Sequence, residues 1–286
     1  MALRVSVCLP ARDEVATIGA IVGAIRDALV GPDGLVDEIV VIDDGSVDGT
    51  AAAATAAGAR VVSEHLILPE AGPGNGKGNA LWKSLYECRG DIVCWLDADL
   101  RNFSPDYVAR LVEPLLRTPG LQLVKASYHR SYEGAPTGGG RVTELVARPL
   151  LSLLFPKLAD IEQPLGGEYA GRREALEVLP FVEGWGVELG LLIDVTDVFG
   201  RDAIAQVDLG VREHRNRPLA DLAPQALAVL ATGLRRAALH DSPAPFVELL
   251  RSTAGDDVAV VLVAVSERPP MITVPGYRAR FHTITQ

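Results

Sequence analysis

The stretch from Asp91 to Leu100 constrains the fold more than any other part of this sequence. Residues 92–96 are apolar without alternation, a pattern typical of a strand that is buried on both faces of a parallel sheet. Two carboxylates, Asp97 and Asp99, follow this strand directly. Because open α/β sheets bind ligands at the carboxyl ends of their parallel strands, the sequence predicts that both acids face a binding crevice.

The spacing of Asp97 and Asp99 has two interpretations. Two carboxylates this close repel each other unless a cation lies between them, and hard divalent ions such as Mg²⁺ prefer carboxylate and phosphate oxygens. Alternatively, Asp99 caps the helix that Ser104-Pro105-Asp106 introduces, because cap carboxylates are common. The surrounding sequence favours the cation site.

Strands and helices alternate through the first part of the chain. Their short connections predict an α/β protein with a doubly wound, mostly parallel sheet and right-handed crossovers. Ligand-binding groups are therefore expected at three strand ends, 10–14, 43–46 and 97–99. The first predicted strands are 3–9, 36–42 and 59–62, and the helices between them are 15–29 and 48–57.

Two glycine-rich segments predict anion sites. Residues 69–79 place four glycines and two prolines around Lys77, at a predicted helix N-terminus where backbone amides and a lysine favour a phosphate. A surface loop is the alternative, and a Walker loop is excluded because glycine follows the lysine. A second glycine run, 138–140, opens a helix on which Arg141 and Thr143 predict an anion site independent of Lys77, with an ordinary loop as the alternative.

Two more candidates lie in the second half. Glu188 falls in the first turn of an apolar helix, where it either complements the helix dipole or faces the cleft. His214 follows a predicted strand, 201–209, among three arginines. A cationic neighbourhood keeps an imidazole neutral, as metal coordination requires, although a lone histidine is more often a surface residue.

Composition limits the classes of protein. With 286 residues, 48% hydrophobic and 22% charged, the chain is globular, and its net charge of −10 argues against nucleic-acid binding. No apolar run reaches the length of about 20 residues that crosses a bilayer, so we expect no membrane partner and a cytoplasmic protein. The three cysteines are predicted to be buried packing residues.

These motifs resemble those of nucleotide-sugar glycosyltransferases with the GT-A fold. The chain is most similar to the glucosyl-3-phosphoglycerate synthases of actinobacteria, glycosyltransferase family 81, over nearly all of residues 3–220. The resemblance rests on these segments: 10–14, 43–46, 73–85, 97–99, 138–151, 167–170, 184–194 and 202–219.

The resemblance implies transfer of glucose from UDP-glucose to the 2-hydroxyl of D-3-phosphoglycerate with retention, in a reaction that depends on Mg²⁺ or Mn²⁺. A homodimer is expected separately, with the apolar helix 219–240 as its surface. The implied donor-binding residues are Pro10, Ala11, Asp13, Glu14, Asp44, Lys77 and Ala98. The implied metal ligands are Asp97, Asp99 and His214, and the implied acceptor-binding residues are Gly140, Arg141, Thr143 and Asn216. Glu188 would position the glucose, and it joins Lys77, Asp97 and Asp99 as the residues expected to serve catalysis.

Some positions depart from the family pattern. Asp13 and Asp44 stand where the family has Asn and Ser, which leaves GDP-glucose or a mannose donor, as in mannosyl-3-phosphoglycerate synthases, as alternatives. Trp185 replaces a tyrosine, and residues 131–137 form a shorter loop. The rival functions are an inverting transferase with a lipid or polysaccharide acceptor and a catalytically silent nucleotide-sugar-binding protein.

One continuous domain with two halves is expected. Residues 1–126 would form the Rossmann-like half that binds the nucleotide sugar. Residues 127–286 would form the half that binds the acceptor, and this range includes a long C-terminal helix, one strand at 258–265 and a polar end at 276–286.

Overall fold

The computed structural model describes residues 3–132, 135–138, 140–212, 218–240, 244–252 and 258–282. The strands are β1 (Val5–Ala11), β2 (Glu38–Asp43), β3 (Arg60–Ser63), β4 (Ile92–Trp95), β5 (Leu123–Tyr132), β6 (Ala135–Gly138), β7 (Tyr169–Arg172), β8 (Phe181–Val182), β9 (Ile204–Arg212), β10 (Phe246–Ser252), β11 (Val258–Ala264) and β12 (Glu267–Arg268). The α-helices are α1 (Ile18–Leu29), α2 (Thr50–Ala57), α3 (Gly76–Glu87), α4 (Asp106–Arg117), α5 (Arg148–Leu154), α6 (Arg173–Leu176), α7 (Val187–Phe199), α8 (Leu219–Arg236) and α9 (Pro275–Phe281).

Within these residues a central eight-stranded sheet has the order β3-β2-β1-β4-β7-β5-β6, and β9 pairs with β5. Pairing is parallel among β1, β2, β3 and β4 and between β5 and β9. The single reversed strand between the two parallel groups is β7, which is antiparallel to both β4 and β5. The predicted α/β class with a mostly parallel sheet is confirmed.

Strand β4 lies at the centre of the sheet and is buried on both faces, as its sequence predicts. Ile92 and Cys94 pack into a core with α1, α2 and α4, whereas Val93 and Trp95 pack into a second core with α3, α5 and α7. All four side chains are 0% exposed. Burying a large apolar side chain contributes about 1.5–3 kcal/mol relative to exposure, so β4 anchors the residues that follow it.

The C-terminal region contains more structure than the sequence predicts. Beside the expected strand β11 there is an antiparallel partner, β10, and a closing helix, α9, where a polar tail was expected. Tyr277 of α9 is fully buried and donates a hydrogen bond to Glu177 Oε2 at 2.6 Å. The prediction of a polar tail is wrong because this short helix is held by tertiary contacts that its own periodicity does not show.

The described ranges contain no helix that is long and apolar enough to cross a membrane. The cytoplasmic location stays a prediction. All three cysteines are free and buried, which confirms that they are packing residues.

Candidate active site

A cleft of about 550 Å³ opens at the carboxyl ends of the parallel strands. Thirteen predicted site residues that the structure describes line it together: Pro10, Ala11, Asp13, Glu14, Asp44, Lys77, Asp97, Ala98, Asp99, Gly140, Arg141, Thr143 and Glu188. Both halves of the chain contribute, since Gly140 and the residues after it follow β5 and β6. His214 and Asn216 lie outside the described residues.

The loop after β1 is joined to the loop after β2. Asp13 has a φ of +56°, a left-handed conformation that aspartate tolerates better than most residues. Its Oδ1 accepts the N–H of Val47 at 2.8 Å, and its own N–H donates to Ser46 Oγ at 3.1 Å. The side chain of Asp13 therefore shapes the wall of the cleft by holding the two loops together.

Asp44 lies at the end of β2, on the side of the cleft farthest from β4. Arg12 is its nearest ionic partner, with Nη1 at 3.7 Å from Asp44 Oδ2. Burial raises the pKa of Asp44, and the positive charge of Arg12 partly opposes this shift. At this end of the cleft, the negative charge of Asp44 is therefore only weakly compensated by a neighbouring positive charge.

Asp97 lies between two cations. Lys77 Nζ is 2.5 Å from Asp97 Oδ1, and Arg212 Nη2 is 2.7 Å from Asp97 Oδ2. Burial alone would raise the pKa of Asp97, but the attraction of Lys77 and Arg212 outweighs it and holds the pKa well below its usual range. The carboxylate is therefore ionised at any pH near neutrality.

Asp99 faces the same cleft and contacts Arg212 Nη2 at 3.3 Å through Oδ1. Helix α4, which it was alternatively expected to cap, begins at Asp106 without a side-chain cap. The capping interpretation is therefore wrong, and both carboxylates of the acid pair point toward the ligand side of the sheet.

Lys77 links the acid pair to Glu188. Its Nζ is 2.8 Å from Glu188 Oε1, and the lysine lies in the first turn of α3 as predicted. Burial lowers the pKa of Lys77, but Asp97 and Glu188 more than compensate, so its pKa is raised well above the usual value. Glu188 is 5% exposed, lies in the first turn of α7 and lines the cleft, so it meets the condition that its functional interpretation requires.

Arg212 is the main residue that sequence reasoning missed. It is the last residue of β9, is 5% exposed, and pairs with Glu168 Oε1 at 3.1 Å as well as with the acid pair. Burial lowers its pKa, whereas Glu168 and the other neighbouring groups raise it well above the usual value. The available signal was its place at the carboxyl end of a strand, the rule that identified Asp97.

The second half contributes a cation at the opposite wall. Gly140 has a φ of +77° and precedes a helical segment in which a π-helical turn, Thr143–Ala147, leads into α5. Arg141 lines the cleft, and Thr143 is 3% exposed beneath it. π-Helical turns are frequent at functional sites, and this one begins at Thr143, which lines the cleft together with Gly140 and Arg141.

The cleft lies where open α/β sheets bind their ligands, and its acid pair, lysine and arginines are groups that suit an anionic ligand bound with a cation. Residues 6–179 match the family model described as Glycosyl transferase family 2. The class is thus that of the glycosyltransferases.

The relatives narrow this class. A glucosyl-3-phosphoglycerate synthase from Mycolicibacterium smegmatis is 50% identical over 94% of this chain and 89% of its own length. The synthase of the same name from Petrotoga mobilis is 45% identical over 98% of this chain and 89% of its own length. The chain belongs to the glucosyl-3-phosphoglycerate synthase family of glycosyltransferases.

The solved structures agree with this assignment. The glucosyl-3-phosphoglycerate synthase from Mycobacterium tuberculosis, in complex with Mn²⁺, uridine-diphosphate-glucose and phosphoglyceric acid, is 49% identical and has a TM-score of 0.84. The match covers 95% of this chain and 91% of that one. The predicted resemblance is confirmed.

Proposed function

We propose that the chain transfers glucose from UDP-glucose to the 2-hydroxyl of D-3-phosphoglycerate, with retention at the anomeric carbon. The observation that carries this proposal is the meeting, in one cleft, of the acid pair from β4 with Arg141 and Thr143 from the second half. An anionic donor and an anionic acceptor need two separate sets of cations. Relatives named glucosyl-3-phosphoglycerate synthase match 94% and 98% of the chain, which supports the product of the proposed transfer.

The carboxylate oxygens of the acid pair suit Mg²⁺ or Mn²⁺ as metal ligands. Asp97 and Asp99 supply carboxylate oxygens, which these hard cations prefer, and the Asp99 side chain is 37% exposed to the cleft. The described residues hold no cluster of three His, Cys, Asp or Glu that could bind a metal, so a third ligand would come from His214, outside those residues. When bound there, the cation would neutralise charge that develops on the leaving diphosphate.

Lys77 and Arg212 would place two further positive charges beside that diphosphate. Both contact Asp97 directly and are held by buried carboxylates, Glu188 and Glu168, so their positions are set before a substrate arrives. Fixed charges of this kind stabilise developing negative charge without reorganisation during the reaction.

Arg141, Thr143 and Gly140, with Asn216, would hold the phosphate and carboxylate of the acceptor. Arginine suits this role because its guanidinium binds such groups in a bidentate fork. The acceptor hydroxyl would then lie on the face of the sugar from which the diphosphate departs.

We infer a front-side displacement. The bond from the anomeric carbon to the diphosphate breaks, the bond to the acceptor oxygen forms on the same face, and a diphosphate oxygen takes the hydroxyl proton. Glu188 is bound by Lys77 at 2.8 Å, which favours a role in positioning the sugar over one as a covalent nucleophile.

Both halves would serve the reaction. Residues 1–126 would supply Lys77 and the acid pair for the donor. Residues 127–286 would supply Arg141 and Thr143 for the acceptor, and also Arg212 and Glu188 for the donor. The decisive experiment is an activity matrix of UDP-glucose, GDP-glucose and GDP-mannose against 3-phosphoglycerate and glycerate, with the anomeric configuration determined by NMR. We expect UDP-glucose and 3-phosphoglycerate to react to a product that retains the anomeric configuration of the glucose. No reaction between these two substrates would refute the proposal.

We also propose that the chain acts as a homodimer. The outer face of the β10–β11 hairpin exposes Leu250 (62%), Val260 (53%) and Leu262 (62%), whereas α8 turns its apolar side toward the interior. An exposed apolar face of this kind is typical of an interaction site. Light scattering should give twice the monomer mass for the native chain, and Leu262→Asp should reduce it to the monomer.

A further inference from the structure

Lys125 is a buried lysine beneath the cleft that the proposed mechanism does not use. It lies on β5, directly opposite Tyr169 of β7, and is 1% exposed. Its Nζ donates a hydrogen bond to the carbonyl of Gly166 at 2.5 Å and lies 4.5 Å from the centroid of the Tyr169 ring. No carboxylate of the described residues forms an ion pair with it. A buried ammonium held by a carbonyl and a ring requires a further reason, because burying a charge is costly.

The charges around Lys125 supply that reason. Glu188, Glu168 and Asp97 act on it as negative charges from three different elements, and Lys77 acts as a positive charge from α3. Arg212 also pairs with Asp99, so four carboxylates surround the two cations that contact them, Lys77 and Arg212. The ammonium of Lys125 adds a third positive charge from below and reduces this excess of negative charge without an ion pair of its own among the described residues.

The carbonyl of Gly166, which accepts the hydrogen bond from Lys125, belongs to a turn formed by residues 166–168. This turn packs against the acid pair. A Cβ placed on Gly167 would overlap both Asp97 Oδ1 and Lys77 Nζ, so the backbone of this turn touches the Asp97–Lys77 ion pair. The next residue, Glu168, pairs with Arg212 at 3.1 Å, and its carbonyl accepts the N–H of Ala126 at 3.0 Å. The turn therefore lies between Lys125 on one side and the ion pairs of the cleft on the other.

We propose that Lys125 is a positioning residue for the transfer reaction, which fixes the backbone of Gly166 to Glu168 against Asp97 and Arg212. This inference rests on the proposed function, because it assigns Asp97 and Arg212 to the donor diphosphate. Through this turn, Lys125 would set where the acid pair and Arg212 meet the donor.

The test compares Lys125→Met, which removes the charge and the hydrogen bond at similar volume, with Lys125→Arg, which keeps both. We expect Lys125→Met to lower kcat at least about tenfold, because displacements of about 1 Å at a reacting site cost up to about 100-fold. The KM of the acceptor should change little, since the turn packs against Asp97, Lys77 and Arg212, which are assigned to the donor side. Lys125→Arg should recover most of kcat. A folded Lys125→Met enzyme with wild-type kcat would overturn the proposal.

Lys83→Met is the matched control. Lys83 is as buried as Lys125, at 1% exposed, but its ionic partner is Glu64, at 2.8 Å, rather than the turn at Gly166 or its ion pairs. It should lose stability as any buried lysine would, while its kcat stays within about twofold of the wild type. Equal losses of kcat in both variants would mean that Lys125 acts only on stability.

The pH profile serves as a second measurement, which remains decisive if Lys125→Met does not fold. Burial lowers the pKa of Lys125 to about 8, so it loses its proton as the pH rises past that value, while arginine stays charged. The kcat of the wild type should fall above about pH 8, and that of Lys125→Arg should not. The same decrease of kcat at alkaline pH in the wild type and in Lys125→Arg would contradict the proposal.

Binding separates this inference from the proposed function. UDP can be titrated into the protein in the presence of Mn²⁺ and its binding measured by calorimetry. This measurement needs no acceptor and no turnover, so it tests the placement of the acid pair alone. Lys125→Met should weaken UDP binding in the presence of Mn²⁺ by about tenfold, the equivalent of about 1.4 kcal/mol. An unchanged affinity would reject the positioning role, whereas a wild-type protein that binds Mn²⁺ and UDP but transfers nothing would reject only the acceptor assignment.

Discussion

Arg212 Nη2 lies 2.7 Å from Asp97 Oδ2 and so joins the end of β9 to the end of β4. The two residues are 115 positions apart in the sequence. The same nitrogen reaches Asp99 at 3.3 Å and Glu168 at 3.1 Å, so one guanidinium gathers three carboxylates. This arrangement connects the donor side of the cleft to the strand that leads toward His214 and Asn216.

Replacing Arg212 should reduce both stability and activity. Arg212→Ala leaves the buried carboxylate of Glu168 without its guanidinium, and breaking a buried ion pair costs about 3–5 kcal/mol. Turnover should fall by at least about 100-fold. Urea unfolding and steady-state kinetics measure the two effects. The control is Arg110→Ala, whose exposed pair with Asp106 should cost at most about 1 kcal/mol. If Arg212→Lys were fully active, a positive charge at this position would suffice and the planar guanidinium group would not be required.

Asp97→Asn removes the charge of the first acid at nearly constant shape. We expect turnover to fall by about 100-fold or more and the Mn²⁺ concentration for half-maximal activity to rise, because a neutral amide is a weak ligand for a hard cation. The measurement is a metal titration of initial rates with both proteins. If the variant needed no more metal than the wild type, Asp97 would not be a ligand.

Asp97 should also make stability depend on acid pH. Its pKa in the folded state lies well below its usual value, so its stabilising contribution is complete above the unfolded pKa of about 3.9 and is lost as the pH falls through the folded pKa. The difference in melting temperature between wild type and Asp97→Asn should therefore be largest above about pH 5 and shrink in stronger acid. A difference that is constant with pH would contradict the ion pairs with Lys77 and Arg212.

Arg141→Ala should act on the acceptor alone. Removing a charge-assisted, bidentate contact costs about 2–5 kcal/mol, so the KM for 3-phosphoglycerate should rise by at least about 30-fold while UDP binding stays nearly unchanged. Arg148→Ala provides a control, because Arg148 lies about two helical turns further along the chain and pairs with Glu144 on the surface. Loss of UDP affinity in Arg141→Ala would place the arginine on the donor side instead.

Gly167→Ala tests how closely the turn approaches the acid pair. The added methyl group would overlap Asp97 and Lys77, so we expect destabilisation of about 1–3 kcal/mol together with a loss of turnover. Gly120→Ala adds the same atom where no other atom lies within 4 Å and should be silent in both assays. Equal behaviour of the two variants would mean that the turn can move away freely.

The sequence predicted the part of the site that depends on local pattern. The apolar run of β4 determined where Asp97 and Asp99 would lie, and the glycine run before Arg141 determined a helix start. Arg212 was not selected, because in sequence it is one of several arginines after a strand. Its importance depends on the parallel pairing of β9 with β5, which is a long-range contact. Lys125 likewise looks like any lysine in a strand until β7 is placed beside it.

The reversal of β7 determines which parts of the chain can be remodelled independently. Because this strand runs against its neighbours, the segment entering it from Gly140 to Glu168 reaches the same rim of the sheet as the segments leaving β1, β2 and β4. We therefore expect insertions and deletions between Gly140 and Gln163 to reshape the proposed acceptor wall while the proposed nucleotide wall stays intact. Such changes would alter the recognition of one substrate without altering that of the other.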